Sequence, residues 1–172
     1  MTEARKIAIN QIAEFILSQL HISAPLNEKQ LKSLVELLGG TVKSDTFDKM
    51  TYGMIKVNGE DNFIITYNKD NSSETLFTIA HELGHYFLHL RDENGNLKDT
   101  YHDSPLYRRG ISVEEDEANE FASALLMPKE VFNKYIDDNK NNQQIDLVKL
   151  ANYFNVSQTV ALNRGKSLGR FL

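Results

Sequence analysis

Residues 75–90 read Thr-Leu-Phe-Thr-Ile-Ala-His-Glu-Leu-Gly-His-Tyr-Phe-Leu-His-Leu. Apolar side chains recur here at helical period, so the segment forms a helix with a buried face. Inside it, residues 81–85 have the pattern H-E-x-x-H. His81 and His85 share one helix face, separated by roughly 6 Å of rise. That spacing lets both imidazoles reach a single zinc ion at about 2.0–2.1 Å. Glu82, one residue along, can take the proton of a water activated at such a metal. The chain contains no cysteine. Any metal is therefore held by His, Asp or Glu, and neither a disulfide nor a cysteine nucleophile is available.

The surrounding sequence divides into short elements. Residues 4–20 carry Ile12, Phe15, Ile16 and Leu20 at helical spacing, and residues 28–38 carry Leu31, Leu34, Val35 and Leu38. Asn27 and Gln30 form a capping-box pattern at the start of the second helix, and Gly39-Gly40 ends it. Tyr52–Val57 and Asn62–Tyr67 flank Asn58-Gly59, a hairpin signal, and Thr41–Lys43 can supply a third strand. Ser72 or Ser73 is the expected N-cap of the histidine-bearing helix. Residues 91–111 form a long polar stretch, expected to border the functional cleft and to gate or shape it. Ser112 opens the next helix, with Ser112 and Glu115 in a capping-box pattern and Ala118, Phe121, Ala122 and Leu125 on its core face. Pro128 starts a short helix through Tyr135, and residues 137–144 are a polar linker. Two helices follow, Asp146–Phe154 and Gln158–Leu168, joined by Asn155-Val156-Ser157.

A catalytic zinc site needs a third protein ligand. His89 lies roughly 12 Å along the axis from His81, too far to share one tetrahedral ion in an unbroken helix. The glycine turn that brings a third histidine round in H-E-x-x-H-x-x-G-x-x-H is absent. His89 is therefore expected to be a structural residue or a partner to a ligand. Better candidates are Glu114, Glu115, Asp116 and Glu117, although acids at a helix start also serve capping and the macrodipole. Glu115 falls on the face of the small residues Ala118 and Ala122, Glu114 is near it, and Glu117 lies towards Phe121.

Phe77–His89, followed by Glu115-Asp-Glu-Ala-Asn-Glu-Phe-Ala122 and Leu125-Leu-Met-Pro128, resembles the ImmA/IrrE family of zinc metallopeptidases. The resemblance runs from about residue 52 to residue 169. It implies His81, His85 and Glu115 as ligands of one Zn2+ per chain and Glu82 as the catalytic base. It also implies a narrow regulatory substrate, a helix-turn-helix repressor of a phage or mobile element. The segment Ser73–Phe77 departs from the family in lacking a basic residue, which bears on substrate contacts more than on the metal.

The 172 residues suffice for one domain with an appendage. A net charge of −5 disfavours a general nucleic-acid or anionic-membrane binder. No signal-peptide core and no apolar run of membrane-spanning length is visible, so a cytoplasmic protein is expected. From Gln143 onward, Lys149, Arg164, Lys166 and Arg170 face a single acid, Asp146. DNA contact through the last helix is one reading of that tail, and a hairpin packed on the rest of the chain is the favoured one. The expected fold is α+β: a zincin-like helical domain over residues 1–136, a small antiparallel sheet, and a helix-turn-helix-like pair over residues 137–172. The expected function is zinc-dependent endopeptidase. The alternative is a zinc-binding regulatory or antitoxin-type protein that acts by protein or DNA contact. Tyr52, Tyr101 and His102 are candidates for stabilising an oxyanion.

Overall fold

The computed structural model describes residues 1–48, 51–58, 62–90, 112–140 and 144–171. Helix α1 (Glu3–Gln19) starts at Thr2, whose hydroxyl accepts from the Arg5 amide. Its buried stripe is Ile9, Ala13, Ile16 and Leu17; of the expected residues Ile16 is buried and Ile12 packs partly buried against the core, whereas Leu20 and Phe15, 63% exposed, face outward. Polar contacts decide the rotation. Arg5 and Asn10 reach carboxylates on a neighbouring helix, which turns Phe15 to the outer side. Helix α2 (Glu28–Leu37) has the full reciprocal capping box of Asn27 and Gln30. Gly39 then reverses the chain at φ 84°, a conformation that glycine adopts without strain.

Three strands follow: β1 (Gly40–Asp45), β2 (Gly53–Val57) and β3 (Phe63–Asn68), in the order β1-β3-β2. The expected hairpin pairs β2 antiparallel to β3, with Ile55 opposite Ile65. Beyond it, the Asn58 amide donates to the Asn62 carbonyl at 2.7 Å. The sheet is mixed rather than wholly antiparallel, because β1 joins the other edge of β3 in parallel. The chain leaving β1 crosses to the far edge before it turns back, so β3 returns in the middle, running the same way as β1.

A 3-10 segment, Lys69–Glu74, leads directly into helix α3 (Thr75–Leu88). The cap position of α3 falls on Glu74 rather than on the expected Ser72 or Ser73. Glu74 holds the cap position at φ −117° and ψ 7°, outside the extended region a capping side chain needs, and makes no side-chain cap hydrogen bond. Helix α4 (Val113–Leu126) begins at Ser112, which accepts from the Glu115 amide. Helix α5 (Lys129–Asn139) runs past the expected end at Tyr135, and helices α6 (Leu147–Phe154) and α7 (Gln158–Ser167) complete the chain. Among the described residues no helix is long and apolar enough to cross a membrane.

Helix α3 is the centre of the core. Ile79, Ala80, Leu83 and Tyr86 are buried with Ile55, Phe63 and Ile65 of the sheet and Phe121, Ala122 and Leu125 of α4. Tyr86 stacks on Phe63 with ring centroids 4.2 Å apart. The two helices that carry the candidate site approach closely at Gly84. A Cβ there would stand 2.9 Å from the Ala118 Cα, a clash that only glycine avoids.

The terminal helix pair is fastened to the body by Arg164, which is 1% exposed. Its guanidinium donates to the Met127 carbonyl at 3.0 Å, to Glu120 Oε1 at 2.9 Å and to Asn10 Oδ1 at 2.9 Å, joining α7 to α4 and α1. Removing one partner of a buried ion pair strands the other, at a cost of about 3–5 kcal/mol. We predict that Arg164→Ala loses stability of that order in chemical denaturation. A loss below about 1 kcal/mol would show that Glu120 is adequately solvated without Arg164.

Candidate metal centre

The site is built where α3 and α4 cross. Spacing along α3 sets His81 and His85 side by side, with Nε2 atoms 3.1 Å apart. The first turn of α4 brings Glu115 in front of both: Oε2 lies 3.2 Å from His81 Nε2, and Oε1 lies 3.3 Å from His85 Nε2. Glu115 is placed there by its position one turn before Ala118, the residue against which Gly84 packs. Only the Ser112 half of the expected capping box forms, since the Glu115 carboxylate is turned to the histidines. Of the four acids that open α4, the structure thus brings Glu115 to the histidine pair. Glu114 and Asp116 are exposed, and Glu117 is buried in a different set of contacts.

Hydrogen bonds determine which ring nitrogens carry protons. His81 Nδ1 lies 3.0 Å from Asn119 Oδ1. A carbonyl oxygen only accepts, so Nδ1 donates and, in the neutral ring, Nε2 keeps its lone pair. His85 Nδ1 lies 3.0 Å from His89 Nδ1, and His89 Nε2 lies 3.2 Å from Glu117 Oε2. Glu117 is itself held by Arg5, Nε to Oε1 at 2.8 Å and Nη2 to Oε2 at 2.6 Å. That ion pair keeps the Glu117 carboxyl below its usual pKa, and burial pushes the His89 imidazole below its own. An ionised Glu117 and a neutral His89 permit one arrangement. His89 Nε2 donates to Glu117, and His85 Nδ1 donates to His89 Nδ1, which directs the lone pair of His85 Nε2 towards Glu115.

Two imidazole lone pairs and a carboxylate therefore converge within a few ångströms, an arrangement that requires a cation. Burial opposes charging His81, yet Glu115 and Glu82 raise its pKa above the ordinary value. Burial likewise opposes ionising Glu115, yet its hydrogen bonds with His81 and His85 pull its pKa down to about 2. Zinc satisfies the same donors without a shared proton. The two Nε2 atoms lie 3.1 Å apart, near the donor–donor edge of roughly 3.3 Å that a tetrahedral ion with bonds of about 2.0–2.1 Å needs, and each faces a different oxygen of the Glu115 carboxylate, at 3.2 and 3.3 Å. Among the described residues, His81, His85 and Glu115 are the group with metal-ligand geometry. Each histidine has its far nitrogen anchored, as in metal sites generally.

Glu82 is 7% exposed. Its carboxylate lies beside the first residue of β2: a Cβ at Gly53 would come within 3.2 Å of Glu82 Oε1. Tyr52, one residue earlier, is 49% exposed. Tyr101, His102 and the whole 91–111 stretch lie outside the described residues. Sequence reasoning missed Asn119 and Arg5. Asn119 was legible as the residue one helical turn after Glu115 on the same face. Arg5 carried no such signal, because its partner is 112 positions away.

The model of the Peptidase_M78 family, described as the IrrE N-terminal-like domain, matches residues 38–166. No curated protein matches the chain significantly. Among solved structures, a Mycobacterium tuberculosis transcriptional regulator superposes with a TM-score of 0.58 and 17% identity over 95% of this chain. This chain spans 47% of that one. At such identity the likeness establishes the fold.

Proposed function

We propose that this chain, which belongs to the Peptidase_M78 family of IrrE N-terminal-like domains, is a zinc-dependent endopeptidase acting on a narrow regulatory substrate in the cytoplasm. The observation that carries the reading is the convergence of His81, His85 and Glu115 beside Glu82. The three converging residues would hold one zinc. A bound zinc supplies Lewis-acid polarisation of the scissile carbonyl and lowers the pKa of a water towards neutrality. Glu82 then accepts a proton from the attacking water and returns it to the leaving amine nitrogen. Asn119 and His89 hold the two imidazoles in the tautomers that present Nε2.

The substrate proposed is a helix-turn-helix repressor of a phage or mobile element. Its support is the sequence resemblance around Phe77–His89 and Glu115–Pro128, together with the need to restrain a protease inside the cell. Restraint of this kind lies in binding energy that a short peptide cannot supply. We predict clear cleavage of a repressor encoded beside this gene and little cleavage of a proteome-derived peptide library, read by mass spectrometry. Equal rates on both would overturn the selective reading. A zinc-loaded protein that cleaves neither substrate would instead support the alternative of a regulatory zinc protein acting by contact.

A further inference from the structure

Glu117, His89 and Arg5 are not needed as zinc donors or as a base, yet they form a continuous polar chain that ends on a proposed donor. Glu117 and His89 have side chains only 10% and 9% exposed, and Arg5 reaches them from α1. Arg5 only donates and the Glu117 carboxylate only accepts, so His89 Nε2 donates to Glu117, and in the neutral His89 ring Nδ1 is left to accept from His85 Nδ1. His81 has no such support; its Nδ1 meets the neutral amide of Asn119. Arg5 also lies before residue 38, where the family match begins. The proton arrangement of the centre thus depends on a helix outside the matched region.

We infer that His89, Glu117 and Arg5 are positioning residues that hold His85 as a metal donor and tie α1 to the metal centre. This rests on the reading of His81, His85 and Glu115 as zinc donors. The Glu117 charge, passed through His89, makes the His85 ring a stronger donor and holds its orientation. Outer partners of this kind typically contribute about 10–100-fold in metal affinity.

The test uses the full chain, stripped of metal and titrated with zinc against a chromophoric chelator. His89→Leu removes the acceptor of the His85 Nδ1 proton and should weaken zinc binding by about 10–100-fold. His89→Gln restores a carbonyl acceptor and should recover most of that loss. Arg5→Gln, at a partly exposed site, should weaken zinc by at least about threefold while the melting temperature of the metal-free protein stays near that of the wild type. In the His89→Gln background Arg5→Gln should have no further effect on zinc, because the link through which it acts is gone. The nitrogen-15 shifts of His85 should report a protonated Nδ1 in the wild type and loss of that single tautomer in His89→Leu. Wild-type zinc affinity in both His89→Leu and Arg5→Gln, or an equal Arg5→Gln effect in both backgrounds, overturns the relay while leaving the zinc site standing. Should His89→Leu fail to fold, the Arg5→Gln pair of measurements decides the matter. A wild-type chain that binds no zinc overturns the site, and the relay with it.

Discussion

Replacing Glu82 by glutamine is expected to abolish cleavage while leaving zinc content and fold intact. Glutamine keeps the shape of the side chain and one carbonyl oxygen, so the buried position beside Gly53 and Thr78 is still filled. It cannot take up a proton at neutral pH. Loss of a general base costs about 10²–10⁴ in rate, which would place the variant near the detection limit of a gel assay on the repressor substrate. The comparison to make is single-turnover cleavage by wild-type and Glu82→Gln proteins of matched zinc content. Equal rates would remove Glu82 from the role of base. The same experiment bears on the contact-only alternative, since a binding module gains nothing from a base between its ligands.

Removing Glu115 is expected to have the second large effect. Glu115→Ala takes away the carboxylate that faces both imidazoles, at 3.2 and 3.3 Å. The remaining histidine pair offers two neutral donors where three ligands and a negative charge stood. Zinc content should fall from one per chain to well below stoichiometric. Stability should follow by mass action: a wild-type site at a free zinc concentration 1,000 times its dissociation constant gains about 4 kcal/mol, and the variant gains little of it. Thermal melts with and without zinc read this directly. Glu114→Ala is the control, because Glu114 is exposed one residue away and should keep the full zinc-dependent shift. A stoichiometric zinc in Glu115→Ala would send the search for the third ligand elsewhere.

These expectations rest on contacts of different reach. His81 and His85 are four residues apart on one helix, so their juxtaposition follows from helical pitch. Glu115 was one of four neighbouring acids, and helix periodicity favoured it by setting it on the face of Ala118 and Ala122. The sheet shows where local reasoning stops. The antiparallel pairing of β2 and β3 joins strands close in sequence and was legible. The parallel addition of β1 depends on which edge of β3 remained open, a matter of global topology. Helix α1 shows the same limit on a smaller scale: its apolar residues suggested one buried stripe, and salt bridges and hydrogen bonds to distant carboxylates selected another.

The sequence by itself determined the pairing of His81 and His85 on one helix face, the place of Glu82 between them, and the small-residue face that lets a second helix approach. Each of these is set by spacing within one or two turns, where the backbone leaves little freedom. The tertiary structure brought Glu115, which periodicity had favoured, up to the histidines. It also decided that Glu117 turns away to Arg5 and His89, and that Arg164 fastens the last helix to the first. Those outcomes depend on the crossing of helices far apart in the chain. Side-chain direction at such a crossing is set by which buried charges find partners, and a one-residue change of rotation exchanges one carboxylate for another.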